Sequence, residues 1–590
     1  MKKITFTLIC ICSLRATEIK GINDNEIASV IMTQIDDLNT SVNDVDIFKI
    51  MATQNIKTIK KVLNSFGYYD AAIDYRITNK VIFDVKLKDR YKFNRATIVY
   101  TDRKNYDSGL TTSQFLDLIG IKEDSYIDTK HVSDACAKIE DYFKGKGFAF
   151  VSVVSQKIIP DYDAKKLDIK FYVSLNGETT ISKTHIHTNG CPNSEALTSF
   201  VRNRLTWSDG AKYKKYKIDD VSGELLASGI FSGIEAKLSD PVFVNESQVK
   251  SDLIMNLECA LPREIAAGVK YGSSEKLGVL FSWTHYNIDN KGSKLTTLVD
   301  FAKDSKNAKI KFDTYDLFLK RQDLATQVSF FKESADSYNV RKVGLDTISW
   351  QDVSKHFRFG GGMLYERSKT KDKINNPTNS YQKFNAFGVP IGLNIDTTKN
   401  YVDPQKGFRC NALLTTYFGN LTNISILEGK ASLYVPIRQN KFKNTAVLAA
   451  YVKFGSILRA NKNNVPRDKF FFAGGANSVR GYGYQKLGRI TDDKKPYGGE
   501  SLFEFGIEPR IKITDTIGLV SFFEGGNVYD SKAPNPMKKM LFGYGVGVRY
   551  YTMFGPVRFD IAFPTKRRHT KTNKKIDSMF NIYISVGQAF

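Results

Sequence analysis

One arginine of this sequence lies in a glycine-rich, aromatic segment, an unusual setting for a charged side chain. Arg480 lies in FFAGGANSVRGYGYQ (471–485), among glycines and aromatic residues and with no acidic residue beside it. A guanidinium pairs with carboxylates through directional hydrogen bonds, but an unpaired guanidinium is costly away from water. If the loop is buried, the chemistry expected here is charge pairing with acidic side chains from elsewhere in the chain.

Other residue types that carry chemistry do not form a recognisable site. His185 and His187 share one strand face, but a metal site needs further ligands and none is near in sequence. The glycines of GYGYQKLG (481–488) lack the strand–loop–helix context and the G-K-[ST] of a phosphate loop. Serine, histidine and aspartate are scattered without a supported triad. We therefore expect no catalytic residues, no metal, no cofactor and no enzymatic activity.

The composition bounds the class of protein. A chain of 590 residues is too long for one ordinary core, so several domains are expected. Its 86 Lys and Arg against 62 Asp and Glu give +24, but the basic residues fall in polar stretches such as TKRRHTKTNKK (565–575). This distribution predicts solvated loops and not a nucleic-acid-binding surface. No stretch approaches the ~20 apolar residues of a membrane helix, and barrel strands would show only weak hydropathy.

The N-terminus, MKKITFTLICICSLRATEIK, has a basic start and a short apolar run. This pattern predicts a signal peptide over residues 1–16, with the cleavage point left open because Leu14 and Arg15 fit poorly. Among the later cysteines no C-x-x-C occurs, so spacing predicts neither a zinc site nor a disulfide framework. Whether Cys191 and Cys259 are bridged is also left open.

A junction recurs three times in the first part of the chain. In each copy an amphipathic helix ends at a glycine and an alternating strand follows, as in IEDYFKGKGFAFVSVVSQKI (139–158). The three glycines are Gly67, Gly147 and Gly229. The repeat predicts three small α+β modules, over residues 22–90, 91–176 and 177–260.

After Pro262 the pattern changes to alternating segments separated by polar loops. In VRFDIAF (557–563) one face is apolar and the other carries Arg558 and Asp560. An apolar face toward lipid and a charged or glycine-rich face toward a lumen are typical of membrane barrels. Residues 262–590 therefore predict a membrane β-barrel of about sixteen antiparallel strands. The last predicted strand is NIYISVGQAF, which ends at Phe590.

The layout and several local strings resemble the outer-membrane assembly superfamily that includes BamA and TamA, in which POTRA modules precede a sixteen-stranded barrel. Three modules, and not five, point to the TamA branch, the outer-membrane subunit of the translocation and assembly module. VRGY (479–482) is similar to the superfamily's most specific signature. The other strings are GYYDA (67–71), LPREIAAGVKYG (261–272), DPQKGFR (403–409), GPVRFDIAFP (555–564) and YISVGQAF (583–590).

The resemblance implies that the VRGY loop folds back into the barrel lumen. Arg480 would then pair with one of two acidic residues on lumen-facing positions, Glu524 or Asp560. Glu524 lies in FFEGG (522–526), where the family usually has aspartate. Val479 and Tyr482 would pack against the inner wall, and Gly481 would permit the tight backbone.

The resemblance also implies a place and a role. We expect a protein of the outer membrane of a Gram-negative bacterium, surrounded by outer-membrane lipid and with its POTRA modules in the periplasm. It would help to insert or secrete proteins of the autotransporter type by strand addition at a lateral seam of the barrel. Its partners would be unfolded outer-membrane proteins and a TamB-like inner-membrane-anchored protein at module 1. The seam residues are Val269, Tyr271, Ile582, Ile584 and Phe590.

Three alternatives stay open at this point. The barrel could be the outer-membrane end of a phospholipid conduit, and sequence does not separate protein from lipid cargo. It could be a two-partner secretion pore, although such pores usually have two POTRA modules and a plug helix. BamA itself is disfavoured by the number of modules.

Overall fold

The computed structural model describes residues 17–590 apart from short gaps, and the predicted signal peptide lies outside the described residues. The chain divides into two compact units. The first runs to His185 and adds Thr206–Asp220 and Ala236–Met255, and the second holds the remaining residues. The gaps are residues 36–44, 78–80, 104–105, 273–275, 376–379, 399, 401, 441–442, 461–463, 538, 553–554, 574, 587 and 589.

Module 1 is a three-stranded sheet covered by two helices. The strand order is β1–β3–β2, with β1 parallel and β2 antiparallel to β3. Ile59 and Leu63 of the second helix are buried in the core together with Phe83 of the central strand. The elements are β1 (Thr17–Lys20), α1 (Asn25–Gln34), α2 (Val45–Ser65), β2 (Ala72–Ile77) and β3 (Val81–Lys86).

Module 2 repeats this plan with strand order β4–β6–β5. Phe143 and Phe148 flank the junction glycine and are fully buried against Phe171 and its neighbours. Since Phe143 lies on the helix and Phe171 on the central strand, helix and sheet close on one core. The elements are β4 (Lys92–Tyr100), α3 (Thr112–Ile119), α4 (Thr129–Lys146), β5 (Ser152–Asp161) and β6 (Lys166–Ser174).

Module 3 has strand order β7–β10–β8, with a short additional strand β9 paired to β10. A disulfide joins Cys191, after β7, to Cys259, at the end of β10, which answers the question that spacing left open. The elements are β7 (Glu178–Asn189), α5 (Ser194–Arg204), α6 (Lys215–Ala227), β8 (Phe231–Leu238), β9 (Val242–Asn245) and β10 (Gln248–Cys259). None of the described helices is both long and apolar enough to span a membrane.

The three junction glycines share a second property besides ending a helix. All three have positive φ, between 75° and 116°, a region that favours glycine. At each junction a backbone carbonyl accepts a hydrogen bond from the backbone N–H of a residue 24 to 32 positions further along the chain. The pairs are Gly67 with Tyr91 at 2.9 Å, Gly147 with Thr179 at 2.8 Å and, one residue past Gly229, Ile230 with Ala260 at 2.8 Å.

The first junction shows what the GYYDA string does. Asp70 accepts hydrogen bonds from the Tyr91 hydroxyl at 2.7 Å and from Lys165 Nζ at 2.5 Å. Tyr91 precedes β4 and Lys165 lies between β5 and β6, so one carboxylate of module 1 binds two points of module 2. The hydrogen bond from Lys165 lowers the pKa of Asp70, so the contact is charged at neutral pH.

The rest of the chain is a sixteen-stranded antiparallel sheet in which each strand pairs with the next along the chain. Its strands are β11 (Arg263–Gly272), β12 (Lys276–His285), β13 (Lys294–Ala302), β14 (Ser305–Tyr315), β15 (Gln322–Ser334), β16 (Tyr338–Ser354), β17 (Phe357–Asp372), β18 (Gln382–Asp396), β19 (Gly407–Gly419), β20 (Ile424–Asn440), β21 (Lys443–Arg459), β22 (Ser501–Lys512), β23 (Ile517–Tyr529), β24 (Leu541–Thr552), β25 (Gly555–Pro564) and β26 (Asn581–Val586).

The two faces of this sheet differ as the alternation predicted. On β25 the side chain of Phe559 is 41% exposed, whereas those of Arg558 and Asp560 are buried on the opposite face. We refer to these as the outer and inner faces of the barrel. The prediction of POTRA-like modules followed by sixteen antiparallel strands is thus confirmed.

The end of the last strand differs from the prediction. The strand was expected to continue to Phe590, but β26 ends at Val586. The Phe590 ring lies 4.5 Å from that of Tyr451 on β21, and Arg510 on β22 donates to its backbone oxygen at 3.1 Å. The terminal residue is therefore bound by aromatic and cationic partners on the inner face. The alternation of apolar and polar residues does not indicate such contacts.

Two glycines at the end of α4 allow the junction to be tested. Gly147→Ala places a Cβ at φ 116° and 3.4 Å from the Tyr213 carbonyl, so we expect a loss of at least about 1 kcal/mol of local stability. The matched control is Gly145→Ala, two residues earlier and inside the helix, where a Cβ would meet open space. This variant should gain up to about 1 kcal/mol of local stability. Hydrogen exchange of the α4–β5 peptides in the full chain measures both. Equal protection in the two variants would contradict the role given to Gly147.

An arginine cluster inside the barrel

The loop between β21 and β22 returns along the inner face of the barrel. Its entry, the short 3-10 helix Arg467–Lys469, is anchored by two ion pairs that the sequence did not indicate. Arg467 pairs with Asp372 at 2.7 Å, and Lys469 pairs with Glu366 at 2.8 Å. We call residues 471–488, which follow these anchors, the arginine loop.

Glycines bring the arginine loop against the wall. A Cβ on Gly543 of β24 would lie 1.9 Å from the carbonyl oxygen of Arg480, so any other residue would push the loop away. Gly481 has φ 99°, and a Cβ there would lie 2.8 Å from the Phe563 carbonyl. The close approach of the loop therefore requires a glycine at position 543 of β24.

Arg480 is fully buried and its guanidinium is surrounded by carboxylates. Glu524 on β23 accepts from the backbone N–H at 2.7 Å, from Nε at 2.9 Å and from Nη2 at 2.6 Å. Nη1 donates to Asp560 on β25 at 2.7 Å, and Nη2 donates to Glu508 on β22 at 2.8 Å. The Phe522 ring centre lies 3.5 Å from the guanidinium carbon. One side chain thus connects three strands.

Two further arginines complete the cluster. Arg549 on β24 pairs with Asp560 at 2.5 Å and with Glu508 at 3.5 Å, and Arg510 pairs with Glu508 at 2.8 Å. Three guanidinium groups therefore face three carboxylates, and their formal charges cancel. Among the described residues, Glu508 pairs with two further arginines and Asp560 with one, whereas Glu524 forms ion pairs with Arg480 alone.

The same loop binds the last strand of the sheet. The hydroxyl of Tyr583 on β26 donates to the Tyr482 carbonyl at 3.0 Å and lies 3.3 Å from the Gly481 N–H, which donates to it. Asn581 donates through its side chain to the Gly481 carbonyl at 2.8 Å. The arginine loop is thus fixed to β26 as well as to β22–β25.

The predicted loop residues lie in the following places. Val479 and Tyr482 are fully buried in an apolar cluster with Leu502 and Val528, and the Tyr482 hydroxyl donates to the Phe542 carbonyl at 3.0 Å. Both predicted carboxylates, Glu524 and Asp560, contact Arg480. Sequence reasoning missed Glu508, although alternation put it on the polar face of LFEFGIEPR with Glu504.

The predicted seam residues are not all at the seam. Val269 and Tyr271 lie in β11, at one edge of the sheet. Ile582 and Ile584 lie in β26, at the other edge, and are 43% and 41% exposed on the outer face. Phe590 is the exception and contacts the inner face of β21 and β22 as described above.

The chemistry of this cluster is charge pairing. No group of three or more His, Cys, Asp and Glu in the described part of the chain is arranged to hold a metal ion. His185, one of the two histidines noted in the sequence, lies 3.0 Å from Asp252 in module 3. The arginine cluster can hold a loop in one position, and it offers no activated nucleophile.

Comparison with known proteins decides the family. Residues 280–590, more than half of the chain, match the Omp85 superfamily domain. The chain belongs to the Omp85 superfamily. Residues 105–174 also match the POTRA model, described as a surface antigen variable number repeat. Omp85 proteins of the BamA type are outer-membrane barrels with periplasmic POTRA domains that assemble or secrete proteins, and they are not enzymes.

Individual Omp85 relatives are distant in sequence. The chain is 21% identical over 523 residues to the outer membrane protein assembly factor BamA of Nitratidesulfovibrio vulgaris, covering 84% of this chain and 63% of that protein. It therefore spans less than two thirds of the length of that relative.

One solved structure, a BamA barrel, gives the same picture for the fold. BamA from Haemophilus ducreyi lacking POTRA domains 1–3 matches 84% of this chain and 100% of that one, with a TM-score of 0.56 and 16% identity. CdiB from Acinetobacter baumannii matches 93% and 100%, with a TM-score of 0.47 and 13% identity.

Removing the arginine should release the loop but leave the barrel. Arg480→Ala leaves the buried Glu524 without its arginine partner, and losing one partner of a buried pair costs about 3–5 kcal/mol locally. We expect a membrane-inserted variant whose loop is cleaved by added protease within residues 471–485. Arg480→Lys should restore little because an ammonium lacks the planar fork. Heat-modifiable gel migration reports on the barrel and limited proteolysis on the loop.

The matched control is Arg489→Ala, which removes an arginine whose side chain is 62% exposed and pairs with Asp530. An exposed pair contributes at most about 1 kcal/mol, so protease resistance should be unchanged. In double-mutant cycles Arg480 should couple more strongly to Glu524 than to Glu508 or Asp560, since those two keep a second arginine. Coupling near zero with all three would contradict the role given to the cluster.

Proposed function

We propose that the protein is an assembly factor that inserts or secretes outer-membrane proteins, of the autotransporter type, by strand addition at a seam between β11 and β26. The observation that carries the proposal is the unpaired seam. Each of the other neighbouring strands exchanges backbone hydrogen bonds, but among the described residues none joins β11 to β26. An unpaired strand edge is a template for another strand.

The two edges of the seam are unequal. β11 has ten residues, and those whose burial is described, Arg263 to Gly268, are all exposed. β26 has six residues, and the chain beyond it is drawn to the inner face through Phe590. An incoming strand would therefore find a longer free row of N–H and C=O groups on β11 than on β26. This favours β11 as the first edge to which a substrate strand pairs.

The arginine loop supports this mechanism by holding β26. Within the described part of the sheet, β26 pairs with β25 alone, over residues Ala562 to Val557. The contacts of Asn581 and Tyr583 with the loop supply additional attachment from the inner side. The edge of β26 can then stay unpaired without the strand leaving the sheet. In this proposal the loop is a positioning element, and the cargo never needs to contact Arg480.

The partner proposed for module 1 is a TamB-like, inner-membrane-anchored protein, as in the TamA branch. The module count supports this assignment. Module 1 also offers two sheet edges, since β1 and β2 flank β3. An extended segment of a partner could pair with either edge, as strand-addition ligands do.

Closing the seam covalently tests the proposal. Cysteines at Val269 and Ile584, with neighbouring positions scanned because no register joins the strands, should give a cross-linked protein that no longer assembles outer-membrane proteins. The matched control keeps the cysteine at Val269 and pairs it with Val279, its register partner on β12. That cross-link joins strands that are already paired and should leave assembly unchanged.

The measurement is made in cells depleted of the wild-type protein. Yield of folded outer-membrane proteins and asymmetry of outer-membrane phospholipid are followed together. Loss of protein yield in the seam variant alone is the expected result. Normal protein yield in a fully cross-linked seam variant would reject strand addition, and disturbed lipid asymmetry with normal protein yield would favour the phospholipid conduit.

A further inference from the structure

The turn between β14 and β15 exposes three consecutive apolar side chains. Leu317, Phe318 and Leu319 are 53%, 75% and 58% exposed. We call them the apolar tip. Isolated exposed apolar residues are common, but three together at the end of a turn mark a contact with an apolar partner.

The tip lies on the periplasmic side of the barrel. β11 begins directly after module 3 and runs away from the side at which the modules enter. Antiparallel strands alternate in direction, so β14 runs back to that side and its turn with β15 lies there. In an Omp85 barrel this side adjoins the inner leaflet of the outer membrane, which consists of phospholipid.

Two backbone N–H groups of the tip, and further backbone groups beside it, are hydrogen-bonded within the protein. The Gln322 side-chain oxygen accepts from the N–H groups of Phe318 and Leu319 at 3.1 and 3.3 Å. The Arg321 N–H donates to the Asp316 carboxylate at 2.7 Å, and the Lys320 carbonyl accepts from Gln351 at 2.9 Å. Such internal hydrogen bonds lower the cost of moving these backbone groups from water into the membrane interface.

The base of the turn is held by one buried and one partly exposed ion pair with helices of module 3. Asp316 accepts from Arg204 of α5 at 2.7 Å, and Arg321 pairs with Glu224 of α6 at 2.9 Å. Arg204 is 5% exposed, and its guanidinium lies over the Phe200 ring at 3.6 Å. The turn is therefore fixed at both ends, and the tip cannot fold back to bury itself.

From these features we infer that the apolar tip inserts into the periplasmic leaflet of the membrane and anchors the helices of module 3 to the lipid surface. The tip continues the lipid-facing side of the barrel, where Ile310 and Phe312 of β14 and Phe330 of β15 are exposed. Lys320, exposed beside the tip, suits the phosphate of a phospholipid headgroup. A charged or polar protein partner would not match three adjacent aliphatic and aromatic side chains.

A fluorescent probe at the tip tests the inference. Phe318→Cys is labelled with an environment-sensitive nitrobenzoxadiazole dye in the full chain, reconstituted in nanodiscs of phosphatidylethanolamine and phosphatidylglycerol. The matched control is Lys291→Cys, an exposed position on the periplasmic turn between β12 and β13. Leu319→Cys serves if Phe318→Cys fails to assemble. The background replaces Cys10, Cys12, Cys136 and Cys410 by Ser and keeps the Cys191–Cys259 bridge.

The expected result is a blue-shifted emission at position 318, loss of quenching by iodide and strong quenching by lipids that carry a nitroxide near the headgroup. Position 291 should show the opposite pattern. Adding Phe318→Asp to the Leu319→Cys variant should restore iodide quenching. Iodide quenching at 318 equal to that at 291 would overturn the inference. Protection from iodide without quenching by nitroxide lipid would also overturn it, since protein and not lipid would then cover the tip.

Discussion

The central constraint on the barrel is that a guanidinium removed from water must be neutralised. Arg480 meets it with carboxylates from three strands, and those carboxylates in turn require Arg549 and Arg510. Other residues of the inner wall accommodate this network of paired charges. Gly543 of β24 leaves space for the loop backbone, the Phe522 ring covers one face of the guanidinium, and the loop backbone is then placed to bind β26. A buried charge network of this kind specifies one position of the loop, because any other position leaves a charge unpaired.

The wall and the loop stabilise the barrel in different ways. From β11 to β26 the strands are joined by continuous backbone ladders, which do not need the loop. The terminal strand β26 is different because, among the described residues, it is hydrogen-bonded to one strand only. Side-chain hydrogen bonds from Asn581 and Tyr583, together with the withdrawal of Phe590 to the inner face, substitute for the missing ladder. The seam therefore combines a fixed strand with an unpaired edge, a state that a fully paired barrel cannot have.

Much of this architecture was readable from the sequence, for physical reasons. Helix-ending glycines and two-residue alternation depend on local backbone geometry, so the modules and the sixteen strands could be predicted. The partners of Arg480 were partly predictable, because Glu524 and Asp560 stand on polar faces of clear strands. Glu508 was missed since alternation puts it on the same face as Glu504 and gives no measure of distance to the loop. The ion pairs of Arg467 and Lys469, and the departure of Phe590 from its strand, depend on residues far apart in the chain, which no local pattern reports.

The junctions between modules have a consequence for how such chains change in evolution. Each junction uses one backbone acceptor at the end of a helix and one backbone donor further along, whatever the side chains. A duplicated module would carry its own acceptor at its end and find a donor in the module that follows. A deleted module would leave behind an acceptor and a donor of the same kind. The number of modules can thus grow or shrink by whole copies, with side-chain contacts such as that of Asp70 refined afterwards.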